Sequence, residues 1–125
     1  MIQLFVLDTG ALIAMERRKQ RSSFLVKAFQ EGSAVLTAPM PVVTEWWRGR
    51  TDARDLILEL VSVEHVSLSV AKAAGEALAA VPSATAIDAI VMAYAASRGA
   101  VVFTSDVVDL ERLRNFFPTV RVLGV

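Results

Sequence analysis

Cysteine is absent from this 125-residue chain, which excludes disulfides, zinc–thiolate sites and thiol nucleophiles. Net charge is absent as well, because 13 Lys and Arg balance 13 Asp and Glu. A neutral chain gains no blanket attraction to nucleic acid, although a local basic patch stays open to it. Long apolar runs are also missing. Hydrophobic residues make up 54% of the sequence and mean hydropathy is +0.50. Yet the longest charge-free stretches fall short of the ~18 residues a membrane helix needs. One of them, Gly32 to Thr44, carries Pro39 and Pro41. Met1 to Asp8 has no basic leader and is interrupted by an acid, so it does not read as a signal peptide. No G-x-S-x-G, Walker A or G-x-G-x-x-G pattern occurs, which argues against a serine hydrolase, a P-loop enzyme and a dinucleotide binder. His65, the one histidine, has no nucleophile motif near it and receives no catalytic role. The expectation is a single domain over residues 1–125, cytoplasmic and without membrane attachment.

What is present is an alternation of short apolar runs with helical patterns. Ile2–Leu7, Ala34–Thr37, Val63–Leu68, Val101–Thr104 and Val120–Leu123 read as strands. Helices are expected from Gly10 to Met15, from a Ser22-Ser23 cap to Gly32, and from Pro41 to about Arg48. Further helices are expected over Asp52–Leu60, from a Ser69 cap to Val81, over Ala84–Ser97 and over Asp106–Phe116. Alternating strands and helices with short connections imply an α/β fold, a parallel sheet covered by helices on both faces.

Most of the acids read as surface charge, but five do not. Asp8 and Asp106 each follow an apolar strand, and in a doubly wound sheet ligands bind beyond the carboxyl ends of the strands. Asp109 shares one side of the following helix with Asp106, where the helix dipole favours ionised acids. Asp88 sits in Thr85-Ala-Ile-Asp-Ala-Ile-Val-Met-Ala-Tyr, a helix apolar nearly all round and so expected to be buried. A buried carboxylate is costly unless paired or bound to metal. Glu45 stands in the similarly apolar Val42-Val-Thr-Glu-Trp-Trp. Each acid also has a plain structural reading. Asp8 and Asp106 can be N-caps, Asp109 a surface charge, Glu45 a solvated helix edge, and Asp88 the partner of Arg54 or Arg98. Taken together, acids on four separate elements share a geometric solution at one sheet edge. Crowded carboxylates need a counter-ion. A hard divalent cation takes oxygen ligands, keeps its waters and accepts phosphates. The chemistry this points to is metal-assisted phosphodiester hydrolysis.

The same residues carry a resemblance to the PIN-domain ribonucleases, and within them to the VapC toxins of type II toxin–antitoxin modules. Val6-Leu-Asp8-Thr-Gly-Ala-Leu-Ile-Ala14 is similar to the family's first acidic motif and Val43-Thr-Glu45 to its second. Ile87-Asp88-Ala-Ile-Val-Met-Ala-Tyr-Ala resembles the third, and Phe103-Thr-Ser-Asp106-Val-Val-Asp109-Leu the fourth. The four motifs span almost the whole chain in order. The family's fourth motif often has Arg after its Thr, where this chain has Ser105. The resemblance implies a three-layer α/β/α fold with parallel strand order 3-2-1-4-5. It implies Mg²⁺ or Mn²⁺ held by Asp8, Asp88 and Asp106, with Glu45 completing a catalytic pocket. Thr104 and Asp109 match secondary positions. The implied substrate is tRNA or ribosomal RNA. The implied partners are a second copy of the chain and a VapB-type antitoxin, which would lie over the acidic pocket and insert an arginine into it.

Arg17-Arg18-Lys19-Gln20-Arg21 is the only dense basic run. It reads either as a solvated loop or as an RNA-backbone contact beside the acids. Trp46 and Trp47 cannot face the same way on a helix, so one belongs to the core and the other can stack a base or meet a partner. Leu12, Ile13 and one of these tryptophans are expected to line the antitoxin groove. Three other functions compete. A phospho-receiver domain needs adjacent acids after its first strand and a late lysine, and no lysine follows Lys72. A haloacid-dehalogenase-like phosphatase needs an acid where Gly10 stands. A catalytically inactive PIN scaffold would bind RNA or protein without cutting.

Overall fold

The computed structural model describes residues 2–125. Five strands form one all-parallel sheet in the order β3-β2-β1-β4-β5. They are β1 Gln3–Leu7, β2 Ala34–Pro39, β3 Val61–Glu64, β4 Val101–Thr104 and β5 Arg121–Gly124. Phe5, Val6 and Leu7 of central β1 are buried in succession, whereas edge strand β5 buries only Val122. A strand covered on both faces has no need of alternation, and an edge strand does. The helices are α1 Thr9–Glu16, α2 Ser23–Gln30, α3 Met40–Trp46, α4 Asp52–Leu60, α5 Leu68–Ala80, α6 Ala86–Arg98 and α7 Val107–Glu111. Right-handed crossovers set α1 to α4 on one face and α5 to α7 on the other. The expected three-layer α/β/α architecture and strand order are therefore both observed.

The chain winds from β1 out to β3 and then crosses back to β4. This puts the topological switch point between the C-terminal ends of β1 and β4, where a ligand crevice opens. Helix α6 is the central packing element. Ala89, Val91, Met92, Ala93, Tyr94 and Ala95 are all buried, as its all-round apolar sequence requires. Gly99 ends it in the left-handed conformation, φ 62°, which a residue without Cβ adopts freely.

Three expected elements are corrected. The third strand was expected over Val63–Leu68, but it begins at Val61, opposite Leu36, and ends at Glu64. Leu60 closes α4, so helix passes into strand without a loop. The next helix takes Ser67 rather than Ser69 as its cap. The Ser67 hydroxyl accepts from Val70 N–H at 3.2 Å. The last helix stops at Glu111 instead of reaching Phe116. Beyond it Leu113, Arg114 and Phe116 bond back three residues, to Leu110, Glu111 and Leu113. These tighter turns precede Pro118, which disfavours helical backbone at Phe117.

Candidate active site

Asp8 directly follows β1 and caps α1. Its Oδ1 accepts from Ala11 N–H at 2.9 Å, and its own N–H donates to Phe103 O of β4 at 3.3 Å. The carboxylate is thereby fixed at the switch point, only 7% exposed. Burial pushes its pKa up to about 6, and the charges of Asp88 and Glu45 add to the rise. The Thr104 hydroxyl and the Ala11 N–H, which favour the charged form, offset part of it.

Asp88 stands in the first turn of α6, where its N–H donates to the capping Thr85 hydroxyl at 3.1 Å. It is half-buried. Burial raises its pKa, and the charges of Asp109, Glu45 and Asp106 raise it further, against the Thr85 hydroxyl. Asp88 thus feels three acids, and its own charge raises the pKa of Asp8. Asp106 caps α7, and its Oδ1 accepts from Asp109 N–H at 3.4 Å. Fully buried Thr104 accepts from Asp106 N–H at 2.9 Å, which ties the end of β4 to the next acid. Glu45 lies in the last turn of α3 and accepts a hydrogen bond from the Thr9 hydroxyl at the start of α1.

Asp8, Glu45, Asp88 and Asp106 form no ion pair among the described residues, while Asp109 pairs with Arg112 at 3.6 Å. The cations that stood as alternative partners for Asp88 are engaged elsewhere. Arg54 contacts Glu16 at 3.1 Å, and Arg98 lies over the Tyr94 ring. Among the described residues no three Asp, Glu or His side chains are grouped to hold one ion between them. The donor chemistry nevertheless fits a hard divalent cation. It consists of carboxylate oxygens only, none of them ion-paired among the described residues, and the ionised forms of Asp8 and Asp88 are disfavoured by burial and by neighbouring acids.

Arg17, Arg18, Lys19 and Arg21 are all exposed, but they diverge. Arg17 shares a depression with Glu45, whereas Arg18 and Lys19 line a cavity against Val26 and Lys27 of α2. Leu12, expected in the groove, is core instead, and of the two tryptophans Trp46 is the one that belongs to the core. Leu12 is 1% and Trp46 3% exposed, while Ile13 and Trp47 are half-buried. Sequence reasoning missed Thr9, the donor to Glu45, and missed Glu16, which joins Trp46 Nε1 at 3.0 Å and Arg54. A hydroxyl after an acid and a lone acid at a helix end carry no local signal of partners 30 or more residues away. Gly10 opens the expected first helix and belongs to the first acidic motif. It also lets α1 lie against Ser105.

The PIN domain family model matches residues 5–115, and the chain belongs to the PIN domain family. No curated protein sequence matches it. Among solved structures, it is similar to VapBC2 from Rickettsia felis bound to a promoter DNA fragment. There the TM-score is 0.76 at 12% identity, over 98% of this chain and 99% of the other. DNA-bound VapBC from Salmonella typhimurium gives 0.69 at 20% identity, over 99% and 98%. Mycobacterium tuberculosis VapC20, a sarcin–ricin loop cleaving toxin, gives 0.65 at 20% identity, over 86% and 92%.

Proposed function

We infer that the chain, as one domain over residues 1–125, is the toxin of a type II toxin–antitoxin module and a metal-dependent endoribonuclease acting in the cytoplasm. The observation that carries this reading is the uncompensated set of acids at the switch point of a PIN fold. Asp8, Asp88 and Asp106 would hold Mg²⁺ or Mn²⁺, with Glu45 completing the pocket. The ion, when bound, activates water and neutralises charge developing at phosphorus. Buried Asp8 and Thr104 keep the floor of the pocket rigid. The Thr9 hydroxyl orients Glu45. The substrate class is structured RNA of the translation machinery, tRNA or ribosomal RNA. The similar VapC20, a sarcin–ricin loop cleaving toxin, supports that class.

The partners of this reading are a second copy of the chain and a VapB-type antitoxin. The VapBC assemblies among the similar structures support the latter. An antitoxin segment fits the cleft of about 210 Å³ lined by Met15, Val26, Leu56 and Leu60, where Leu56 is 53% exposed. An arginine of that antitoxin, set among the acids, would oppose their charge and displace the metal.

Purified protein should cut structured RNA with Mg²⁺ or Mn²⁺ and stop with EDTA. Undiminished cleavage in EDTA would sink the metal mechanism. RNA binding without any cleavage in either metal would leave the inactive scaffold. Light scattering should show a dimer, and a stable complex after co-expression with a VapB-type antitoxin. A monomer that ignores that partner would refute the toxin–antitoxin assignment.

A further inference from the structure

The basic groups around Glu45 divide into those with partners and those without. Arg50 contacts Asp52 and Asp55, each at 2.8 Å. Arg54 spans Glu16 at 3.1 Å and Gly49 O at 2.9 Å. Both are thus committed to fastening the α3–α4 connection. Arg17 and Arg48 have no ion pair among the described residues. Yet they share one depression of about 220 Å³ whose wall includes Glu45. The depression has a fixed base, because Glu16 binds Arg54 on one side and accepts the Trp46 indole N–H on the other. It holds the end of α1, the end of α3 and the start of α4 together.

Two free guanidinium groups facing one pocket match an anion with several acceptor oxygens in a plane-tolerant, multidentate arrangement. Glu45 stands between this pair and the acids, since it lines the arginine pocket while its charge acts on Asp8 and Asp88. A polyanion whose reacting phosphate sits among the acids needs cations beside them to counter the site's repulsion. We propose that Arg17 and Arg48 form a subsite for an RNA phosphate flanking the one cleaved. The strand thereby passes from the acids over Glu45 onto the arginine pair. This rests on the nuclease reading above. It narrows the basic run to one member and adds Arg48, which lies outside that run. A purely structural role is the competing explanation. Arg17 closes α1 as its C-cap, where a cation suits the helix dipole.

The test is anisotropy of a labelled RNA hairpin with a single-stranded loop, titrated in EDTA so that nothing is cut. Arg17→Ala/Arg48→Ala should bind on the order of tenfold more weakly. The slope of log affinity against log salt should flatten by about 0.7, the value for one lost contact to a single-stranded phosphate. Arg18→Ala/Lys19→Ala removes the same charge and should lose clearly less. Equal losses in the two double variants would show a net-charge effect and overturn the subsite. Unchanged RNA binding with a lowered Tm would overturn it in favour of helix capping. Unchanged RNA binding with lost antitoxin binding would overturn it in favour of a protein contact. If the unmodified protein neither holds RNA in EDTA nor cuts it with Mg²⁺, the nuclease reading fails as well, a result separable from the others.

Discussion

Gly10 lies against Ser105 so closely that a Cβ on it would collide with Ser105 Oγ. It would also come within 3.1 Å of Ser105 Cβ and 3.2 Å of its backbone N. The first turn of α1, which follows Asp8, is thus packed on the segment between Thr104 and Asp106. Gly10→Ala should destabilise the protein by about 1–3 kcal/mol through overpacking. It should also lower cleavage, because the Asp106 segment must move. Ser105→Gly in the same chain removes the side-chain clash but not the backbone contact, so rescue of Tm should be partial. Full stability in Gly10→Ala alone would show that the segment yields freely.

Asp8 makes stability depend on pH. Its folded pKa of about 6 stands above the ordinary 3.8. Between those values the folded state keeps a proton the unfolded chain has released. The contribution is therefore fully present below about pH 4 and is lost as pH rises through about 6, on the order of 3 kcal/mol in all. Asp8→Asn can still accept from Ala11 N–H. In metal-free protein it should raise Tm at pH 7 and flatten the difference between pH 4 and pH 7. A lowered Tm at pH 7 would mean that the ionised carboxylate stabilises the fold.

Asp88→Asn should leave the circular dichroism spectrum intact and reduce cleavage by about a thousandfold or more, the scale of several kcal/mol of lost metal assistance. Since the Asp88 charge raises the Asp8 pKa, the substitution should also move the Asp8 carboxyl titration, followed by carbon NMR, downward. An unfolded variant would instead assign Asp88 a structural role.

Glu16 and Arg54 are 22% and 17% exposed in their side chains, and the buried Arg54 Nε has no partner among the described residues. Glu16→Ala leaves the guanidinium with Gly49 O alone and also frees the Trp46 indole N–H. Its expected cost is about 2–3 kcal/mol in urea denaturation. Glu16→Leu/Arg54→Met removes both charges and should cost less than Glu16→Ala. A double variant that loses as much as Glu16→Ala or more would show that the cost does not come from the unpaired arginine.

The α/β alternation, the strand order through the family resemblance, and the candidate acids Asp8, Glu45, Asp88 and Asp106 were legible in the residues alone. These signals are local. An acid after an apolar strand, or inside an apolar helix, conflicts with its immediate neighbours, and that conflict is visible without a fold. The extent of β3 was not legible, because pairing with Leu36 to Pro39 sets it rather than the apolar run itself. Nor could residue order tell that Leu12 and Trp46 are core while Ile13 and Trp47 are half-buried, since only packed neighbours decide which face of a helix is covered. Tertiary structure alone separated Arg17 from Arg18 and Lys19, joined Arg17 to Arg48, and tied Glu16 to Trp46 and Arg54. Contacts of this kind link residues about 30 or more positions apart, and their geometry exists only once the helices are docked on the sheet.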